Sequence, residues 1–205
     1  AALPGLRGPR VYMYGGISSK IRASLLAIST YNGKYSEQYP WKEGKIPLGR
    51  FGHIMHRFDY KRLLIFGGEI GTSRKDFTMS QFKLYRILGL FLFNVESNQV
   101  QRLVDDRSHG PRPRKFFASC LVDKNYLLVF GGIESAQMVS KTEQRPGGIG
   151  DLWLFDFCKK SWYKLAFSTH SRNFYSKGIM FHQMASAYKY SIKQLDCLKG
   201  RELTR

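Results

Sequence analysis

Acidic residues are scarce in this 205-residue chain: 15 Asp and Glu stand against 33 Lys and Arg, a formal charge of +18 at pH 7. A surplus of that size repels itself in the compact state unless something anionic sits nearby. It points first to nucleic acid or ribonucleoprotein and next to an acidic protein surface, with a uniformly basic proteome as the plain alternative. Cysteine is also sparse. Cys120, Cys158 and Cys197 are odd in number and widely spaced, and no CxxC or Cys/His ligand spacing supports a disulfide framework or a zinc site. The expected compartment is therefore intracellular and reducing, cytoplasmic or mitochondrial. No apolar run approaches the ~18 residues that cross a bilayer. Ala1-Ala2-Leu3-Pro4-Gly5 lacks the apolar core of a signal peptide, and a cleaved transit peptide would leave no trace.

Groups for catalysis are thin as well. His53 and His56 form an HxxH, but on a strand that spacing puts the two rings on opposite faces. His109, His170 and His182 are isolated, and no pair of carboxylates stands out. Gly147-Gly148-Ile149-Gly150 is not followed by the Lys-Ser/Thr of a phosphate loop. No catalytic, cofactor or metal site is expected, and the chain is read as a non-enzyme.

What the chain does have is a repeat. Pro47, Arg50, Phe51, Gly52 and His53 lead to Leu63-Leu64-Ile65-Phe66 and Gly67-Gly68; 64 residues on, Pro113 and Arg114 lead to Leu127-Leu128-Val129-Phe130 and Gly131-Gly132. Repetition at a fixed period marks solenoids, propellers and arrays. Within each copy a first strand (52–58 or 115–122), a polar turn and a short apolar run read as β-structure buried on both faces. Phe and Tyr together number 27, which suits a β-rich chain. After a loop come Phe91–Val95 and Val100–Leu103, or Trp153–Phe157 and Trp162–Leu165; the two segments align without a gap, Asn94 on Asp156 and Val100 on Trp162. Each copy is thus expected to be a four-stranded antiparallel meander. An earlier copy holds Val11–Tyr14, Gly15-Gly16 and Leu26–Tyr31, with Asn32-Gly33 as the hairpin turn. It begins at its second strand, so its opening strand is expected outside the chain or from elsewhere.

These residues resemble kelch repeats, the blades of kelch-type β-propellers. The likeness lies in the glycine pairs Gly15/Gly16, Gly67/Gly68 and Gly131/Gly132, in Arg50 and Arg114 with their prolines, and in Trp162 on an outer strand. It covers roughly residues 11 to 165, with units near 11–40, 47–104 and 111–166 inside a region 1–170. Val100 and Tyr35 stand where the family usually has Trp. The resemblance implies all-β blades and protein partners. About three blades fall short of the four to eight that close a ring, which implies a fragment, an open array, or a ring completed by another chain.

Function is then expected in what is not repeated. The loops after the second and third glycine pairs are long, and long loops on a rigid scaffold tend to carry binding. The first of these holds Arg74, Lys75, Phe77, Lys83 and Arg86, with a short helix possible over Met79 to Leu88. Trp41 lies on the link between the first two copies, among basic and aromatic residues of a kind that can stack bases and neutralise phosphate. Residues 171–205 form a basic tail, read as an amphipathic helix or the start of a further blade, with Lys189 and Lys193 on it. The leading reading is a non-catalytic protein-interaction scaffold within a larger complex, built as a partial or open propeller with a C-terminal helical tail. The alternatives are an RNA-contacting ribonucleoprotein component, such as one of a mitochondrial ribosome, and a fragment of a propeller enzyme, since copper radical oxidases use similar propellers. No cofactor and no small-molecule substrate is expected.

Overall fold

The structure is a computed structural model, and it describes residues 2–3, 9–18, 21–38, 49–70, 85–86, 89–104, 109–134 and 148–166. Among the described residues it is all-β, without a helix. Two compact units divide the chain, Ala1–Arg107 and Ser108–Arg205.

The first unit holds two four-stranded antiparallel sheets. One is β1 (Ala2–Leu3), β2 (Arg10–Tyr14), β3 (Leu25–Ser29) and β4 (Tyr35–Gln38), in chain order. The other is β5 (Ile54–Arg57), β6 (Arg62–Phe66), β9 (Leu90–Asn94) and β10 (Gln99–Val104), again in chain order across the sheet. Between β6 and β9 a short ladder pairs β7 (Glu69–Ile70) with β8 (Tyr85–Arg86). The second unit repeats the scheme with β12 (Ala118–Val122), β13 (Tyr126–Phe130), β15 (Leu152–Asp156) and β16 (Ser161–Leu165), and a ladder joins β11 (Arg114–Lys115) to β14 (Ile133–Glu134).

Three local expectations change. The opening strand of the first copy is present in the chain, because Ala2 and Leu3 pair with Val11 and Arg10; two residues are too few to show an alternation in sequence. The first strand of the third copy is not continuous over 115–122. Phe116 takes φ 55 and turns the chain between β11 and β12, as Gly52 does at φ 65 in the second copy. A Phe there carries steric strain that glycine avoids, which is why the residue type concealed the bend. The short helix considered over 79–88 is contradicted at its end: Tyr85 and Arg86 pair with Ile70 and Glu69. Glu69 is already fixed by its bridge to Phe51, so a third segment extends an existing ladder instead of nucleating a helix. The rest of that stretch, and the helical tail 171–205, lie outside the described residues.

Short polar side chains close the outer turns. Asn94 Oδ1 accepts from the Glu96 and Ser97 amides at 2.9 and 3.2 Å, and Asp156 Oδ1 from Cys158 and Lys159 at 3.0 and 3.1 Å. Each turn ends on a left-handed residue, Asn98 or Lys160. The carboxylate or amide holds the backbone in an Asx-type turn that tolerates this. The Asn32-Gly33 turn joins β3 to β4 as expected, with Gly33 at φ 65.

Packing is face to face. Tyr12, Tyr14, Leu25 and Ala27 of the first sheet meet Leu63, Ile65, Phe91 and Phe93 of the second in one buried cluster, with Met55 and Val100 at its margin. Because directly opposed residues of an antiparallel pair share a face, the register places Leu63, Ile65, Phe91, Phe93 and Val100 on one side of the second sheet. The corresponding side of the third carries Leu127, Val129, Trp153, Phe155 and Trp162.

Candidate functional site

Among the described residues two arginines are the most deeply buried cations, Arg50 at 0% and Arg114 at 1% exposure. Each follows a proline-rich approach and turns inward beneath a glycine pair. Arg50 Nη1 donates to Gly67 O at 3.0 Å, and Arg114 Nη1 donates to Gly131 O at the same distance. All six glycines of the pairs have positive φ, from 69 to 96. At Gly68 and Gly132 no side chain fits: a Cβ would stand 2.8 Å from Phe51 O and 2.7 Å from Lys115 O. The pair in the first sheet meets the second copy. Gly16 N donates to Arg50 O at 2.8 Å, and a side chain at Gly15 would strike that carbonyl. The repeated residues therefore position strands and join neighbouring sheets.

The two copies balance the buried guanidinium differently. In the third copy Asp151 receives Arg114 through both Nη1 and Nη2, the latter at 3.1 Å, while Trp153 Nε1 donates to the same carboxylate at 2.7 Å. Burial alone would raise the Asp151 pKa, but the hydrogen bonds and charge of Arg114, with Trp153 and Lys164, hold it below the usual carboxylate value. In the second copy register puts Gly89 where Asp151 stands and Phe91 where Trp153 stands. The Arg50 guanidinium lies 5.2 Å from the Phe91 ring centroid, a cation–π contact, and hydrogen-bonds the Tyr14 side chain. Burial pushes the Tyr14 phenol up to about 12 against the opposing pull of Arg50. His53 stands edge-on to Tyr14, 5.4 Å between centroids. Burial, and then the Arg50 charge, bring its pKa down to about 4, so its ring is neutral at pH 7.

This constellation is structural chemistry: cations turned onto carbonyls, a carboxylate and ring faces of the same chain. Among the described residues, no group of three or more His, Cys, Asp and Glu could hold a metal ion. No helix there is long and apolar enough to cross a membrane. An open depression of about 480 Å³ on the second sheet is lined by Arg62, Leu92, Asn94, Gln99, Val100 and Gln101. Its guanidinium is bound to Asp59 at 2.6 Å, and the lining offers no nucleophile with a base beside it.

The residues singled out from sequence fall into two sets. Gly15, Gly16, Gly67, Gly68, Gly131, Gly132, Arg50 and Arg114 come together at the sheet ends described above. Trp162 lies on β16, 6% exposed, its ring 5.0 Å from that of Phe155 and in the way of any side chain at Gly110. Of the candidate partner-binding residues, Arg86 lies on β8 opposite Glu69. Trp41, Arg74, Lys75, Phe77, Lys83, Lys189 and Lys193 lie outside the described residues. Sequence reasoning met His53 only as a discounted metal ligand and a blade-entry residue, and it gave Tyr14, Asp151 and Trp153 no role at the buried arginines. Asp151 was findable, since it is the acid immediately before a strand whose counterpart begins after Gly89.

Residues 5–190 match the family model of the KLHDC2/KLHL20/DRC7 Kelch-repeats domain. No curated protein matches the chain. Kelch domains are in general protein-interaction modules rather than enzymes, and the family implies protein partners. With that match over most of its length, and with glycine pairs, buried lead-in arginines and four-stranded antiparallel sheets to fill it, this chain belongs to the kelch-repeat family.

Proposed function

We propose that the chain is a non-catalytic scaffold subunit of a larger assembly, and that it offers the insertion 71–84 to a protein partner. One observation carries the reading. Both ends of that insertion are tied into a ladder, Glu69 opposite Arg86 and Ile70 opposite Tyr85, and the ladder continues through the bridge of Phe51 to Glu69. A loop rooted this way leaves a fixed base, so its residues lose less conformational freedom on binding. Within the span are Arg74, Lys75, Phe77 and Lys83, three cations around an aromatic anchor, which suit an acidic surface with an apolar pocket. Trp41, Lys189 and Lys193 are further candidate contacts by residue type. We place the protein in a reducing compartment, cytoplasmic or mitochondrial, with Cys120 and Cys158 as free thiols.

The test is affinity capture from the source cells with the full chain, beside a variant carrying Arg74→Glu, Lys75→Glu, Phe77→Ala and Lys83→Glu. The expected result is one or a few proteins retained by the parent and lost from the variant, with identical unfolding curves for both. Retention unchanged in the variant would refute the insertion as the docking element. Retention that disappears with nuclease and falls steeply with salt would transfer the function to RNA contact.

A further inference from the structure

Asp123-Lys124-Asn125 joins β12 to β13, and Phe157 to Lys160 joins β15 to β16. Both turns lie at the end of the third sheet opposite its glycine pair. They stand side by side because β13 and β15 are neighbours, and Phe157 N ties them by donating to Asn125 O at 3.0 Å. Lys124, Lys159 and Lys160 are all exposed there. In the second sheet the equivalent turns hold their cations in ion pairs, Lys61 with Glu96 and Arg62 with Asp59, each at 2.6 Å. In the third, Asp156 is 3% exposed and turns Oδ1 to the amides of its own turn. Among the described residues no ion pair involves Lys124, Lys159 or Lys160.

The backbone makes lysine the costlier residue at two of these positions. Lys124 takes φ 58 and Lys160 φ 52, a left-handed conformation that Asn and Gly adopt more readily. By register the counterpart of Lys160 in the second sheet is Asn98, which has φ 58. A lysine held where asparagine is easier has its reason outside the fold. We propose that Lys124, Lys159 and Lys160 form a docking face for an extended acidic segment of a protein partner. The two hairpins stand about 10 Å apart, two strand spacings. A segment with carboxylates on alternate residues, about 7 Å apart, meets both turns through the long lysine side chains. Among the described residues of this end no aromatic ring is exposed: Tyr126 is buried, and Phe157 and Tyr163 are half-buried. Sites for single-stranded nucleic acid add rings that stack bases, so the chemistry here favours carboxylates. The inference goes beyond the scaffold reading, since it places a contact on repeated turns of the second unit and does not use the insertion.

Cys158 is exposed in the same turn and serves as a local reporter. The measurement is the rate at which a maleimide alkylates Cys158 in the full chain, read by mass spectrometry, as a ratio without and with a decaglutamate peptide. At about 0.1 M salt exposed charges still attract over about 10 Å. Decaglutamate is expected to slow the alkylation at least about fivefold, since three exposed charge pairs each contribute a factor of a few. The variant Lys124→Glu, Lys159→Glu, Lys160→Glu is expected to lose that protection. A control, Arg10→Glu, Lys34→Glu, Arg57→Glu, alters the net charge equally at exposed positions and is expected to keep it. Lys160→Asn is expected to raise the thermal midpoint while weakening protection, which a lysine retained for folding would not do. Unprotected Cys158 in the parent chain overturns the proposal. So does equal loss in the two triple variants, which would leave net charge alone as the cause. Decauridylate that protects Cys158 at lower concentration than decaglutamate overturns it as well, and assigns the face to phosphate.

Discussion

Replacing Asp151 by Ala is expected to cost the second unit about 3–5 kcal/mol, the range for leaving a buried charge without its partner. The geometry supports the full range. The Arg114 side chain is fully buried, the carboxylate receives it through both terminal nitrogens, and the Trp153 indole loses its acceptor at the same time. The Gly131 carbonyl at 3.0 Å remains, so the guanidinium keeps one hydrogen bond but no counter-charge. Fluorescence-detected urea unfolding in a Trp41→Phe background suits the measurement, since Trp153 and Trp162 then report on residues 108–205 alone. The midpoint should fall with little change in slope. Arg114→Met together with Asp151→Leu should recover much of the loss, because an apolar pair of similar volume costs less than a lone charge. Acid gives an independent check. The folded pKa of Asp151 is depressed, so its contribution is complete above the ordinary carboxylate pKa and is lost as pH falls through the lower folded value. A loss below about 1 kcal/mol for Asp151→Ala, or a double variant weaker than either single one, would refute this account of the buried pair.

Two further outcomes follow from the same geometry. Gly68→Ala should destabilise well beyond Gly16→Ala in thermal unfolding: both positions have positive φ, but only Gly68 has a carbonyl 2.8 Å from the added carbon, while Gly16 has open space around it. Equal losses would mean that φ strain, roughly 1–3 kcal/mol, decides both. His53 has a folded pKa lowered from 6.5 to about 4, so the unfolded chain binds the proton first as pH falls. Stability of the first unit should be complete above pH 6.5 and decline toward pH 4, by on the order of 3 kcal/mol in all; a His53→Phe variant with the same pH slope would contradict this.

The scaffold was legible in the chain because its signals are local. Glycine pairs after apolar runs gave the ends of β2, β6 and β13, and the gapless pairing of Asn94 with Asp156 anticipated the matching capped turns. The arginines were recognised as part of the repeat, yet their burial was not, since a cation in a Pro-Arg stretch reads as surface until a carboxylate 37 residues away closes on it. Phe116 hid a left-handed bend that Gly52 advertised in the other copy. Runs such as Leu63 to Phe66 are apolar on both faces, so alternation could not tell which side meets a neighbour. In β2 burial alternates, Tyr12 and Tyr14 buried on either side of the exposed Met13, but the residue types Val11-Tyr12-Met13-Tyr14 do not show it. The candidate contacts Trp41, Arg74, Lys75, Phe77, Lys83, Lys189 and Lys193 were chosen for charge and aromaticity on non-repeated stretches, features that mark capacity to bind without fixing a geometry.

The unlike surroundings of Arg50 and Arg114 limit how freely the repeats can be exchanged. A side chain introduced at Gly89 would run into the Phe91 ring, so the carboxylate solution of the third copy cannot be transplanted into the second by one substitution. Gly89 and Phe91 must change as a couple, to Asp and Trp, and each intermediate holds either a crowded ring or an indole lacking its acceptor. Chimeras spliced between the copies should therefore join within a turn that keeps residues 89–91 or 151–153 together with the arginine they serve. Modularity in this chain extends to the backbone and stops at its buried charges.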